Sequence, residues 1–215
     1  MMQGRGVKQG PLPGSPGAIF RGMVLLGRGR RDGMNCFGAT ADSVLTALAP
    51  RVALWLVGSL LTLAHAPTAI NGTKVLLSLC LVLAPTLVTH QLAQLWGRQA
   101  LWPRYITAAL WCDWLVLFIM LGTVAILGTV LGMVLPRGIG AIGAGVILNG
   151  VVIVYNLWLT WFVARVGLAL GAWRAVLLVL AIVAVFLALS ELSVVLPPHY
   201  APWQDFLAMP PPESR

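Results

Sequence analysis

Long apolar runs separated by short polar, glycine- or proline-containing breaks form the dominant pattern of this chain. The longest run covers residues 105–135 and contains one charged side chain, Asp113, which lies between Trp111 and Trp114. About 20 apolar residues cross a bilayer core of about 30 Å. This run therefore predicts a membrane helix with a turn or two to spare for tilt or an interfacial end.

Four further apolar runs predict four more membrane helices in the same chain. The predicted spans are residues 52–70, 74–95, 106–134, 139–164 and 175–196. Turn and interface signals separate them, including Asn71-Gly72, the basic and aromatic loop 96–105 and Pro136. The pattern predicts an all-α fold, a polytopic membrane helix bundle of five transmembrane helices formed by residues 42–196.

The two ends of the chain differ in composition from its middle. Residues 1–41 contain ten Gly, three Pro and six Lys or Arg. A segment this rich in glycine and charge buries too little apolar surface to offset its conformational entropy. We therefore predict a disordered, basic Gly/Pro-rich tail over residues 1–41 and a polar C-terminal tail over residues 197–215.

Composition and charge point to the bilayer as the solvent. Hydrophobic residues make up 59% of the chain and charged residues 9%, against about 25% charged residues in soluble domains. The net charge is +8, and with a cytoplasmic N-terminus 11 Lys and Arg lie inside and 3 outside. This bias predicts an N-in/C-out orientation. We expect a multi-pass membrane protein, with the lipid bilayer as a partner and no nucleic-acid partner.

One pair of ionisable residues is a candidate site within the predicted bundle. Asp113 lies eight residues into its span, about 12 Å along the helix, and His90 lies about 9 Å before the end of the preceding antiparallel span. We expect His90 and Asp113 to approach each other. Such a pair either carries protons or gates a pathway, or it is a structural pair that satisfies a buried charge.

A second candidate is a polar stripe on the fourth predicted span. Gly145, Asn149, Asn156 and Thr160 follow one another at spacings of 4, 7 and 4, which places them on one helix face. Asparagine side chains form hydrogen bonds between membrane helices. The stripe is therefore predicted to face the bundle, as packing contacts or as the lining of a substrate site.

The sequence lacks the motifs of common enzyme classes. No HExxH, GxSxG, P-loop or clustered Cys and His pattern occurs, and the three cysteines form no CxxC pair. These observations predict a protein that is not an enzyme and that needs no metal or cofactor.

Two segments resemble a known family. They are residues 105–111, Tyr-Ile-Thr-Ala-Ala-Leu-Trp after the short basic loop, and residues 155–168, with Ala175 and Val176 beyond. With the five-span topology, they resemble the Yip-like five-span membrane proteins and their bacterial relatives. The resemblance implies a membrane-organising adaptor located in the bacterial inner (cytoplasmic) membrane, and no catalytic residue.

Two functions follow from this pattern as alternatives. The first is a scaffold or partner-binding membrane protein that associates with itself or with other membrane proteins, because no catalytic motif is present. The second is a small transporter or channel that uses a polar intramembrane cavity around His90, Asp113 and the asparagine stripe. A water-accessible pocket that reaches these residues would favour the second.

Overall fold

The structure is a computed structural model that describes residues 14–134 and 139–201, without the side chains of residue 124 and residues 127–149. Its helices are α1 (Pro16–Gly27), α2 (Ala41–His65), α3 (Ala69–Leu95), α4 (Trp102–Val134), α5 (Ile139–Gly167) and α6 (Ala172–Val195), with 3₁₀ helices at Arg31–Cys36 and Gln99–Leu101. The described residues contain no strand, and five of their helices are long and apolar enough to cross a membrane. The predicted all-α membrane bundle is confirmed.

The five long helices form a closed ring. In the order α2, α3, α6, α5 and α4, each helix contacts the next, and α4 contacts α2. Helices α2 and α4 begin at the same end, where the Ser43 and Thr107 hydroxyls lie 3.4 Å apart. Helix α1 lies against α4 and α5 outside the ring.

The hydrophobic core lies at one end of this ring, which we call the packed end. It contains the beginnings of α2, α4 and α6 and the last turns of α3 and α5. Its largest fully buried apolar side chains are Leu26, Phe37, Tyr105, Leu159, Val163, Leu168 and Leu178. In α4 and α5, the side chains that other parts of the chain enclose therefore lie in the half of each helix that is nearest to α1.

Residues 14–40, which we call the N-terminal layer, differ from the predicted disordered tail. Ser15 accepts a hydrogen bond from the Ala18 amide and Pro16 occupies the first turn, so α1 has a regular start. The layer then buries Met23, Leu26, Met34 and Phe37 in the core. These four apolar side chains are enclosed by other parts of the chain. The average composition of residues 1–41, on which the prediction of disorder rests, does not contain that information. Residues 1–13 lie outside the described part.

Close helix crossing within the N-terminal layer depends on glycine. A Cβ atom on Gly33 would lie 2.8 Å from the carbonyl oxygen of Gly22, and one on Gly22 would lie 2.7 Å from the Phe37 ring. Neither distance is sterically allowed, so α1 and the following 3₁₀ helix reach this separation only because both positions lack a side chain.

The first membrane helix begins and ends earlier than predicted. It starts at Ala41 because Thr40 and Ser43 form a reciprocal capping box, and it continues through Pro50. Thr68 caps α3 by accepting from the Asn71 amide, so Asn71-Gly72 lies within α3 and forms no turn. The other four helices differ from the predicted spans by at most five residues at either end. Most of the predicted C-terminal tail lies outside the described residues.

Candidate functional site

An ion pair within the membrane helices is the centre of the candidate site. Arg51 on α2 donates a hydrogen bond to the Asp113 carboxylate on α4 through Nη1. Arg51 lies ten residues after the start of α2, and Asp113 lies eleven after the start of α4. At 1.5 Å per residue, both lie about 15–17 Å from the packed end. Since the two helices start together and run parallel, the charges meet in one layer.

The structure gives His90 a different neighbour from the one predicted. The imidazole ring lies edge-on against Trp102, with ring centroids 4.8 Å apart and an interplanar angle of 79°. The reason is the start of α4 at Trp102, three residues before Tyr105. His90 is then about 7 Å from the packed end and Asp113 about 17 Å, so the two residues occupy different layers.

Half of the predicted polar stripe lies beside Asp113. Asn156 and Thr160 on α5 line a small cavity of about 10 Å³ together with Asp113 and Cys112. This volume is close to the minimum that one water molecule needs. The Thr160 hydroxyl donates to the Asn156 backbone carbonyl. The side chains of Gly145 and Asn149 lie outside the described residues.

A larger opening, the ion-pair cleft, exposes both charges. It has a volume of about 250 Å³ and is lined by Arg51, Leu54, Asp113, Trp114 and Leu117. The Arg51 side chain is 31% exposed and the Asp113 side chain 47%. Charges at membrane depth cost at least about 2.5–3.5 kcal/mol against lipid and face protein or water-filled space. We therefore expect the two charged side chains to face water or polar groups in this cleft and not acyl chains.

A second opening, the polar cavity, lies next to the ion-pair cleft and further from the packed end. It has a volume of about 320 Å³ and lies between α2 and α3. Its polar side chains are Ser59, Thr62, Lys74 and Ser78, and Leu54 lines both spaces. The Trp55 indole N–H donates to the Ser78 hydroxyl over 2.9 Å, which fixes the wall between the two helices. The Lys74 ammonium lies 4.9 Å from the centre of the Tyr200 ring.

Sequence reasoning missed Arg51 because the first predicted span begins at residue 52 and leaves Arg51 outside the membrane helix. The signal was nevertheless present. A helix that starts after Thr40, with Ser43 as the partner in the capping box, carries Arg51 ten residues inwards. That is nearly the same count that separates Asp113 from the start of α4 at Trp102.

The described residues contain no group of three His, Cys, Asp or Glu side chains that could hold a metal ion.

Comparison of the chain with protein-family models, curated proteins and solved structures finds no match. The fold therefore defines the protein by class. It is a multi-pass helical membrane protein, and the described part carries an ion pair between two of its membrane helices.

Proposed function

We propose that the protein binds or conducts a small polar solute along the ion-pair cleft and the polar cavity. It would thus be a small transporter or channel without enzymatic activity. The observation that carries this proposal is the position of two neighbouring cavities, of about 250 and 320 Å³, which share Leu54 as a lining residue. Their polar groups come from three helices, α2, α3 and α4.

The balance of polar groups supports a solute path over a purely structural ion pair. An ion pair that serves only to stabilise the fold is expected to be enclosed between helices, because an exposed ion pair contributes only about 0–1 kcal/mol to stability. Here both side chains are partly exposed at membrane depth. Serine, threonine and lysine side chains continue beyond the pair, where lipid-facing helix surfaces would carry apolar residues.

The distribution of Lys and Arg residues predicts which end of the proposed path faces the cytoplasm. We infer that the packed end faces the cytoplasm of a bacterial cell, with Lys74 near the outer surface. Reporter domains fused to either end test the threading. An inside signal from the N-terminal fusion and an outside signal from the C-terminal fusion are expected, and matching signals from both would refute the orientation.

Cysteine accessibility tests the solute path directly. In a variant with Cys36, Cys80 and Cys112 replaced by alanine, Leu54→Cys places a thiol on the wall shared by both cavities. The matched control is Leu56→Cys, which lies on the opposite side of α2 because two residues turn a helix by about 200°. Both leucines are exposed in the isolated chain.

A membrane-impermeant, cationic thiol reagent is expected to label position 54 in intact membranes and to leave position 56 unlabelled. Failure at both positions would mean that lipid or protein fills the cavities. Equal labelling of both would mean that the reagent does not distinguish the path from the outer surface of α2. Either result would remove the proposal.

A scaffold remains the second candidate, because one apolar feature favours it. Helices α1, α2 and α4 enclose a groove of about 480 Å³ with mainly apolar walls, which could receive a partner helix or a second copy of the chain. Extraction in mild detergent followed by mass measurement tests this. Recovery of only a monomer, with no co-purifying protein, would exclude it.

A further inference from the structure

Asp113 lies between two spaces that offer it different partners. On the α2 side it lines the ion-pair cleft and accepts the hydrogen bond from Arg51. On the α5 side it lines the small cavity of about 10 Å³ with Asn156 and Thr160. The Thr160 hydroxyl already donates its proton to the Asn156 backbone carbonyl, so its oxygen is left to accept hydrogen bonds. A protonated carboxyl group can donate to this oxygen, directly or through one water, whereas a carboxylate cannot.

The charges along the proposed path depend on that proton. Among the described residues that line the ion-pair cleft and the polar cavity, Arg51 and Lys74 are cations and Asp113 is the only acid. The other ionisable groups near Asp113 or on its neighbouring helices are uncharged at pH 7 or occupy another layer, namely Tyr105, Cys112, Tyr155 and His90. A proton on Asp113 would therefore leave Arg51 facing the cleft without a counter-charge.

Arg51 is suited to take a carboxylate from the solute in place of Asp113. A guanidinium group forms two parallel hydrogen bonds with a carboxylate, and a charge that loses its partner in a poorly solvated site is strongly destabilised. Leu54, Trp114 and Leu117 supply the apolar part of the cleft wall. The volume of about 250 Å³ is below the range of about 300–1,000 Å³ that is common for drug-sized ligands. These features together select a small organic acid with an apolar body.

We propose that the solute is a small monocarboxylate, which Arg51 binds while Asp113 holds a proton. This assignment of the solute rests on the proposed function. A proton from water in the cleft adds to an Asp113 oxygen and forms an O–H bond, and the acid turns towards Asn156 and Thr160. Arg51 keeps its charge and exchanges one carboxylate for another. One anion and one proton thus enter together, and the net charge of the cleft is unchanged.

The experiment measures the binding of radiolabelled benzoate to the full chain, purified in neutral detergent, by equilibrium dialysis. Benzoate has a carboxylate and a flat apolar ring, and benzamide is its uncharged counterpart of similar size. Wild-type protein is expected to bind benzoate about tenfold more weakly for each unit of pH between pH 6 and pH 8, because binding takes up one proton. An affinity that does not change with pH would overturn the proton on Asp113. Benzamide should not compete, and equal competition would overturn the contact with Arg51.

Asp113→Asn, with and without Arg51→Gln, separates the roles of the two side chains. Asparagine imitates the uncharged acid, so Asp113→Asn is expected to bind benzoate equally well at pH 6 and pH 8. The double variant leaves no unpaired charge in the cleft and should lose about tenfold in affinity relative to Asp113→Asn. Arg98→Gln is the matched control, because Arg98 is exposed near the packed end and should leave binding unchanged. Equal losses in the control and the double variant, or none in either, would overturn Arg51 as the anion site.

The outcomes also distinguish the solute class from the solute path. Labelling of Leu54→Cys by the cationic reagent, with no benzoate bound to wild type at pH 6 or to Asp113→Asn, would overturn the carboxylate and leave the path in place. Absence of labelling would remove both. Inorganic phosphate, an anion without an apolar part, is expected to compete with benzoate at least about tenfold less well than unlabelled benzoate does. Equal competition would mean that the cleft takes anions in general, and it would overturn the monocarboxylate.

Discussion

The two ends of the helix ring contrast sharply although both consist of apolar sequence. At the packed end, side chains such as Tyr105, Leu159 and Val163 are enclosed by other parts of the chain. In the opposite half, Leu60 on α2 and Phe186 on α6 are largely exposed. The chain thus supplies its own neighbours at one end and leaves the bilayer to supply them at the other.

The N-terminal layer accounts for much of this difference. It covers α4 and α5 and contributes Leu26 and Phe37 to the core. Hydropathy alone cannot distinguish the two ends, because a leucine that packs against protein and one that packs against lipid have the same transfer free energy. Stability measurements can distinguish them, since only the first loses specific contacts when it is truncated.

The largest expected effect comes from truncating one phenylalanine at each end. Phe37 is 1% exposed and Phe186 is 52% exposed. Phe37→Ala should destabilise the protein by about 3–5 kcal/mol, because it removes buried contacts and leaves a cavity. Phe186→Ala should cost less than about 1 kcal/mol, since lipid fills the space in the folded and unfolded states. Unfolding in mixed micelles measures both, and equal losses would contradict the contrast between the ends.

A smaller effect is expected from closing the contact between α1 and the 3₁₀ helix. Gly33→Ala introduces a methyl group 2.8 Å from a backbone oxygen that cannot rotate away. We expect a loss of about 1–3 kcal/mol. Gly58→Ala is the control, because a Cβ atom there meets no heavy atom within 4 Å. The control should be neutral or slightly stabilising, as alanine favours helix over glycine. A neutral Gly33→Ala would mean that the N-terminal layer is not held as described.

Hydropathy predicted the helices of the ring but not the N-terminal layer. Each long apolar run supplied enough residues to cross a bilayer, so its existence followed from length alone. Helix α1 has only 12 residues, and its start signals, Ser15 and Pro16, lie in a glycine-rich region. Its stability comes from contacts with distant residues such as Leu115 and Tyr155, which lie against Gly27. A local pattern does not contain those contacts.

The carboxylate of the candidate site could be predicted from the sequence, but its cationic partner could not. Asp113 stood out as a lone carboxylate in an apolar run. Its partner depends on the relative register of α2 and α4, which the capping box at Thr40 and the contact of Ser43 with Thr107 help to set. Side-chain contacts between helices distant in sequence decide that register. A prediction that paired Asp113 with the preceding helix therefore selected His90.

The ion pair itself should contribute a modest coupling energy. Arg51→Gln, Asp113→Asn and the double variant form a thermodynamic cycle. Because both side chains are partly exposed to the cleft, we expect a coupling of about 1 kcal/mol that weakens with added salt. A fully enclosed pair would lose several kcal/mol when one partner is removed. Coupling of that size, insensitive to salt, would argue against an aqueous cleft.

The smallest expected effect compares two similar hydrogen bonds. The Trp55 indole donates to Ser78 in the wall of the polar cavity, and the Trp102 indole donates to Thr89, which is buried at the packed end. Trp55→Phe and Trp102→Phe remove the same N–H group and similar volume. Water can replace the lost bond only where it reaches the hydroxyl, so we expect a loss of about 0.5 kcal/mol at Trp55 and about 1–2 kcal/mol at Trp102. The difference between the two losses reports hydration of the cavity. A larger loss at Trp55 would mean that the cavity is dry, and a dry cavity cannot carry a polar solute.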